Sequence, residues 1–141
     1  EDKTLLRRNT TEMLEKCLEE PHYTLGAFLG EELIAFAMLF EAGQSDENIG
    51  KDLGLNKKEL DQTINMKLII VLPKYRGNGL QKKLMSRLEE IAKSRKKRFI
   101  CGTVSPENIY SCNNFTELNY ILKATKIKYD GLKRNIYCKK I

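Results

Sequence analysis

Apolar and polar positions follow two different periods along this chain, and the sharpest change of period falls at Pro73. Before it, Leu68 to Leu72 is an unbroken apolar run rich in branched residues, which predicts a strand covered on both faces. Pro73 ends that strand, because proline cannot donate to a ladder. After it, Leu80, Leu84, Leu88 and Ile91 fall at i, i+4, i+8 and i+11, one stripe of a helix, while Gln81, Lys82, Arg87, Glu89, Glu90 and Lys93 cover the rest. Gly77 and Gly79 therefore form a glycine-rich bend at a helix N-terminus.

The remaining pattern frames this unit. Asn9-Thr10-Thr11-Glu12 has the form of a capping box, opening a helix with Met13, Leu14, Cys17 and Leu18 on its apolar face and Pro21 as its stop. Tyr23 to Leu29 and Leu33 to Phe40 read as a hairpin around Gly30-Glu31-Glu32. In the second strand Phe36, Met38 and Phe40 share one face and Leu33, Ala35, Ala37 and Leu39 the other, so both faces are buried. Gly43 to Thr63 is polar and uneven, with a short capped helix expected from Asn56 and Glu59. So long a segment between strands is either a wall of a functional cleft or a decorated surface loop, and the sequence leaves both open. Downstream come a strand from Arg98 to Val104 and a helix from Pro106 or Glu107 to Leu118. A strand from Tyr120 to Tyr129, a turn at Asp130-Gly131 and a closing strand from Lys133 to Lys139 complete the chain. The sum is one α+β domain over residues 1–141 with a mixed, mostly antiparallel sheet.

Composition narrows the class without changing that outline. Hydrophobic content of 41% and charged content of 31% are ordinary for a globular chain. No apolar run reaches membrane-spanning length and no signal pattern opens the sequence, so a cytoplasmic protein with no membrane partner is expected. The chain does not begin with methionine, so it is either processed or a piece of a longer one, and both readings stay open. Cys17, Cys101, Cys112 and Cys138 form no CxxC pair and His22 is the single histidine, which argues against a metal site or a disulfide framework. The net charge of +6 comes mostly from residues after Met66, notably Lys93-Ser94-Arg95-Lys96-Lys97-Arg98. A solvated helix end is the first reading of that run, a surface for a phosphate-bearing cofactor the second, and nucleic acid a distant third.

The glycine bend carries the chemistry. The first N–H groups of a helix have no partner inside it, the macrodipole is positive there, and glycine lets an anion approach the main chain, so the bend is a phosphate cradle. A Walker loop is absent, and a dinucleotide GxGxxG fails because Lys82 stands where the third glycine belongs. The stretch resembles instead the (Arg/Gln)xxGx(Gly/Ala) signature of the GCN5-related N-acetyltransferases, with Arg76, Gly79 and Gln81 at its three positions and Gln81 a departure. A second segment, Thr103 to Tyr120, is similar to that family's later motif, with Asn108 and Ser111 matching. Phe115 stands where many members carry tyrosine, and Asn119-Tyr120 replace a Gly-Phe end. The resemblance, to the small bacterial-type members, covers roughly residues 23 to 141.

That resemblance implies a sheet with helices on both faces, splayed beside the cofactor strand, and transfer of an acetyl or short acyl group from coenzyme A to an amine by direct attack. The pantetheine of acetyl-CoA would pair with backbone groups of Ile70, Val71 and Leu72, and the N–H groups of Gly77, Asn78, Gly79, Leu80, Gln81 and Lys82, beside Arg76, would hold the pyrophosphate. Asn108 would hydrogen-bond the pantetheine, and an N–H near Val71 or Leu72 would stabilise the oxyanion. Glu41, Asp61 and Tyr110 are the candidate bases and Ser111 a candidate to hydrogen-bond the sulfur, each with an ordinary structural role as its alternative. Partners would be a small-molecule or peptide amine, and a homodimer is compatible with this reading. Two rivals stand beside it: a regulatory domain that binds an acyl-CoA without turnover, and a basic nucleic-acid-binding module.

Overall fold

The computed structural model describes residues 11–129 and 131–141. The expected cap at Asn9 lies outside them, as do the side chains of Met13 and Leu14 and the turn residue Asp130. Among the described residues, six strands form one sheet: β1 (Tyr23–Leu29), β2 (Glu32–Phe40), β3 (Thr63–Val71), β4 (Phe99–Val104), β5 (Ile121–Lys128) and β6 (Leu132–Lys140). Their order is β1-β2-β3-β4-β6-β5, antiparallel throughout except for the parallel pair β3–β4. The α-helices among the described residues are α1 (Thr11–Lys16), α2 (Lys57–Asp61), α3 (Leu80–Ser94) and α4 (Ile109–Glu117). The mixed α+β architecture follows the expectation, and β2 lies beside β3 as anticipated.

One face of the sheet packs α3 and α4. Leu84, Met85 and Leu88 of α3 meet Ala35, Ala37 and Leu39 of β2, Ile64 and Met66 of β3, Ile100 and Val104 of β4, and Phe115 of α4. The opposite face has a smaller cluster of Ile49, Cys101, Ile136 and Cys138. Ile49 begins a 3-10 turn (Ile49–Leu53) within the long connection from β2 to β3. Asn48 Nδ2 donates to the carbonyls of Gly43 and Leu60 at 2.8 and 3.1 Å, and Asn65 Oδ1 of β3 accepts from Ile49 N–H at 3.1 Å. Two buried asparagines therefore sew this connection to the sheet, because a buried amide needs all its partners from the chain itself. The capping box at Asn56 and Glu59 forms as predicted.

Three boundaries differ from the sequence reading. Helix α1 ends at Lys16 rather than near Pro21, which leaves Cys17 buried and Leu18 exposed. Helix α4 begins at Ile109, because Asn108 Oδ1 accepts from Ser111 N–H at 3.2 Å and so caps it, three residues after Pro106 and two after Glu107, the two expected starts. Strand β3 starts at Thr63, five residues before the apolar run, and the run itself is half-exposed rather than covered on both faces.

The cause of that half-exposure is a split in the sheet. β4 pairs with β3 from Thr63–Phe99 to Met66–Gly102 and no further, while β3 continues along β2 to Val71–Ala35 and β4 continues along β6 to Val104–Asn135. A bulge marks the point: Leu39 opposes Met66 and Met38 opposes Leu68, leaving Lys67 as an extra residue in β3. Accordingly Ile64 and Met66 face α3 before the bulge, and Ile69 and Val71 face it afterwards. Below the last paired residue sits Phe115, whose ring fills the space over Gly102; a Cβ there would lie 2.8 Å from Phe115 Cζ. The ring stacks on Tyr137, the cross-strand neighbour of Gly102, with centroids 5.0 Å apart.

Candidate functional site

The split opens a cleft between the C-terminal halves of β3 and β4. Its cavity volume is about 80 Å³. On the α3 and α4 side its walls are Gln81, Asn108, Ser111 and Phe115; β3 contributes Met66, Lys67, Leu68 and Ile69; Thr103, Val104, Tyr129 and Arg134 complete it. By strand alternation Thr103 points to the face of Cys101, and Arg134 to that of Ile136 and Cys138, so the cleft passes through the sheet from one face to the other.

Along the open edge the backbone alternates between two partners. Leu72 N–H donates to Ile34 C=O at 2.9 Å, which makes Ile34–Leu72, Phe36–Ile70 and Met38–Leu68 the hydrogen-bonded pairs of the antiparallel ladder. The N–H and C=O groups of Ile69 and Val71 consequently point away from β2, towards the space β4 has left. This corrects the expected roles of Ile70 and Leu72: their main-chain groups face β2, and the free donors belong to Ile69 and Val71. The carbonyl of Val71 accepts from Arg76 Nε at 3.0 Å, so Arg76 folds back to brace the turn that follows.

That turn runs through a 3-10 segment (Pro73–Tyr75) into α3. Gly77 and Gly79 have φ of +83° and +74°, and a Cβ on either would meet nothing within 4 Å. Both glycines are thus set by the left-handed backbone, and the space in front of them is open. Asn78 Nδ2 donates to Tyr75 C=O at 3.0 Å, and the first bond of α3 runs from Lys83 N–H to Gly79 C=O at 3.1 Å. The N–H groups of Gly79, Leu80, Gln81 and Lys82 precede it and have no partner within the helix. α2 and α4 carry side-chain caps at their N-termini, whereas α3 has none. Gln81, the departure from the expected signature, is buried and turns its side chain away from the bend: Nε2 donates to Ser111 Oγ at 3.1 Å and Oε1 accepts from Asn114 Nδ2 at 2.7 Å. Its N–H is left facing the turn. Lys82 Nζ, in contrast, pairs with Glu117 at 2.8 Å on the surface.

The proposed bases fare differently. Glu41 lies at the far end of β2, ion-paired with Lys97 Nζ, and does not line the cleft. Asp61 accepts from Gln44 Nε2 at 2.7 Å, also away from the cleft. Tyr110 is an exposed residue of α4 outside the lining. Topology explains this: β2 and β3 are antiparallel, so the end of β2 lies beside the start of β3, opposite the opening. Ser111 alone of the catalytic candidates lines the cleft. The connection from Gly43 to Thr63 supplies no lining residue and covers the sheet instead. The basic run is not a freely solvated end either, since Lys97 is 9% exposed in its side chain and also donates to Asp61 C=O at 2.8 Å.

Thr103, Tyr129 and Arg134 escaped the sequence reading. Arg134 had a signal: it falls in phase with Ile136 and Cys138 on the inward face of β6, where a charge is out of place.

A family profile described as the acetyltransferase (GNAT) family matches residues 2–120. The chain belongs to that family. Solved structures agree on the fold. An N-acetyltransferase from Staphylococcus aureus Mu50 superposes with a TM-score of 0.71 at 18% identity, over 92% of this chain and 73% of that one. A putative acetyltransferase from Salmonella typhimurium with its cofactor acetyl-CoA gives 0.73 at 16%, over 96% and 78%. A Bacillus subtilis acetyltransferase in complex with CoA gives 0.71 at 14%, over 94% and 84%. Among the curated proteins none matches the sequence. Within this GNAT domain, among the described residues, no group of three His, Cys, Asp or Glu is placed to hold a metal and no helix is long and apolar enough to cross a membrane.

Proposed function

We propose that the protein moves an acetyl or other short acyl group from coenzyme A to a primary amine by direct attack inside the cleft. The observation that carries this reading is the continuation of β3 past its last pairing with β4, straight into an uncapped helix N-terminus behind two open glycines. An unpaired strand edge takes up amides as a further strand would, and the pantetheine arm has two amides. The N–H of Val71 and the C=O of Ile69 supply those hydrogen bonds, which leaves the Ile69 N–H for the reacting carbonyl. The N–H groups from Gly79 to Lys82 receive the pyrophosphate, with the helix dipole behind them. Asn108 spends its Oδ1 on the cap of α4, so its Nδ2 is the atom that faces the pantetheine.

Acetyl-CoA supplies a thioester carbonyl. Attack by the amine nitrogen forms the C–N bond, the C–S bond breaks, and the sulfur leaves as a thiolate while the nitrogen gives up its proton. An outward N–H on β3, that of Ile69, is placed to stabilise negative charge on the carbonyl oxygen. Lys67, Tyr129 and Arg134 are the titratable groups among the described lining residues. No carboxylate stands among those described residues, and in this reading the proton leaves through water at the mouth. A thiolate of pKa near ~8.5 departs without a strong acid, which fits a phenylalanine at position 115. Ser111, held by Gln81, is the residue this reading assigns to hydrogen-bond the sulfur.

Burial of Phe115 favours one alternative, an acyl-CoA sensor without turnover, because the ring is 3% exposed and has no proton to give. Thiol release from acetyl-CoA across a panel of primary amines separates the two. Amine-dependent release supports transfer; tight acetyl-CoA binding with no release for any amine supports the sensor. In the transferase, Ser111→Ala lowers turnover by less than about tenfold, since its contribution is one hydrogen bond.

A further inference from the structure

Cys101 and Cys138 take no part in the cleft, yet their thiols touch. They are direct cross-strand neighbours on β4 and β6, and Cys101 Sγ donates to Cys138 Sγ at 3.1 Å. The ladder explains the contact. Ile141 N–H donates to Arg98 C=O at 2.8 Å, so Arg98–Ile141, Ile100–Lys139 and Gly102–Tyr137 are the hydrogen-bonded pairs and Cys101–Cys138 is a non-hydrogen-bonded one. In such a pair the Cα atoms lie about 4.5 Å apart with the side chains leaning together, inside the roughly 4.4–6.8 Å that a disulfide spans. Both thiols pack with Ile49 and Ile136 on the face away from α3 and α4; Cys101 is fully buried and Cys138 keeps 6% of its surface, an edge that admits only a small oxidant. The other two cysteines are elsewhere. Cys112 packs on the α4 side, where Asn135 Nδ2 donates to its sulfur at 3.8 Å, and Cys17 precedes β1, its carbonyl accepting from Thr24 Oγ1. The two touching thiols are also unequal. The hydrogen bond from Cys101 draws the Cys138 thiol below its ordinary value against the effect of burial, with Lys123 adding to it; the same bond and burial push Cys101 up. Thiolate character, which makes a thiol a nucleophile, therefore collects on Cys138.

We propose that Cys101 and Cys138 are a modification site: a hydroperoxide oxidises them to a reversible cross-strand disulfide that fastens β4 to β6 beside the split. This does not depend on acyl transfer. The Cys138 thiolate attacks one oxygen of hydrogen peroxide, the O–O bond breaks, and the other oxygen leaves as hydroxide and takes up the proton the thiol had lost. Cys138 is then a sulfenic acid. The Cys101 sulfur attacks it, the S–S bond forms as the S–O bond breaks, and the hydroxyl leaves with the Cys101 proton as a second water. Two thiols and one peroxide thus give one disulfide and two waters, the sulfurs oxidised and the peroxide reduced. The bond closes the chain from 101 to 138, a loop that contains α4 and β5, and so restrains the unfolded state. It lies one residue from Gly102, the last residue of β4 paired with β3, and leaves the open edge of β3 untouched.

Peroxide treatment of a Cys17→Ser/Cys112→Ser double variant isolates the pair. Both remaining thiols are expected to disappear on alkylation after unfolding and to return with dithiothreitol, and a linked peptide containing residues 101 and 138 is expected in the digest. The oxidised form should melt at least about 4 °C above the reduced one. Cys101→Ser should leave Cys138 as a sulfenic acid that dimedone labels. The same peptide map on the natural protein needs no variant to fold. Thiols at 101 and 138 that both survive peroxide, oxidation that joins other cysteines or two chains instead, or a linked form that melts no higher than the reduced one would overturn the inference and leave the two as packing groups.

Discussion

The two halves of β3 are opposite in circumstance: the half that carries Thr63 and Asn65 is the buried one, and the more apolar half is the open one. Thr63 to Met66 pair with β2 on one side and β4 on the other and are all buried; Lys67 to Val71 keep β2, lose β4, and are all half-exposed. Ile64 and Ile69 differ little as side chains. What separates them is one inserted residue, Lys67, together with the Phe115 ring under Gly102 where the pairing stops. Apolar side chains on the open half are therefore only partly covered, Ile69 and Val71 packing at the edge of the core under α3, and the backbone between them lacks the β4 partner that the closed half has. Under the proposed function, the closed end holds the fold together and the open end takes the cofactor.

Substitution should separate the two halves by size of effect. Ile64→Ala, at a fully buried site, is expected to cost about 2–5 kcal/mol in urea unfolding, and Leu68→Ala less than half of that. Equal costs would mean that the split is not present in solution. Next comes Gly79→Glu, which places a carboxylate in front of the free N–H groups at a φ of +74°. It should lower stability by about 1–2 kcal/mol through the left-handed backbone, and it should abolish the acetyl-CoA shift, about 2.7 kcal/mol at a hundredfold excess over Kd. Gly79→Asn, which tolerates that backbone better, should retain the shift.

At the closed end, Lys97→Met removes the partner of Glu41. A loss of about 1–2 kcal/mol is expected for a pair intermediate between exposed and buried, with acetyl-CoA affinity within a few-fold of the natural protein. A tenfold loss of affinity would tie the basic run to the cofactor after all. The smallest effect concerns His22, whose ring stacks on Phe40 at 4.1 Å and whose Nδ1 accepts from Glu41 N–H at 3.0 Å. Burial holds its pKa below the ordinary 6.5, with Glu41 opposing. A lowered folded pKa favours the neutral ring, so its contribution is present above 6.5 and fades as pH falls through the folded value. The melting temperature should drop on acidification below about pH 6, and His22→Gln should flatten that part of the profile.

Much of this was legible in the chain because it is local. A strand ended by Pro73, two glycines and an amphipathic helix specify a turn whatever lies around them, and Asn108 followed by Ser111 sits where α4 is capped. The split was not legible, because it depends on register between strands far apart in sequence and on a ring from α4 packing over Gly102. For the same reason Ile70 and Leu72 were favoured over Ile69 and Val71: which backbone groups face outwards is decided by pairing with β2, and a bulge reverses the phase. The conformation of Gln81 rests on Ser111 and Asn114, about thirty residues away. Glu41 and Asp61 looked free because their partners, Lys97 and Gln44, come from other elements.

Amide hydrogen exchange along β3, resolved residue by residue with and without acetyl-CoA, tests the central claim most directly. Ile69 and Val71 should gain protection when acetyl-CoA binds, because their N–H groups face the open edge, while Ile70, already paired with Phe36, and Ile64, in the closed half, should change little. Protection that rises equally along the whole strand, or fails to rise at Ile69 and Val71 while acetyl-CoA is bound, would contradict a cofactor held as an added strand in the split.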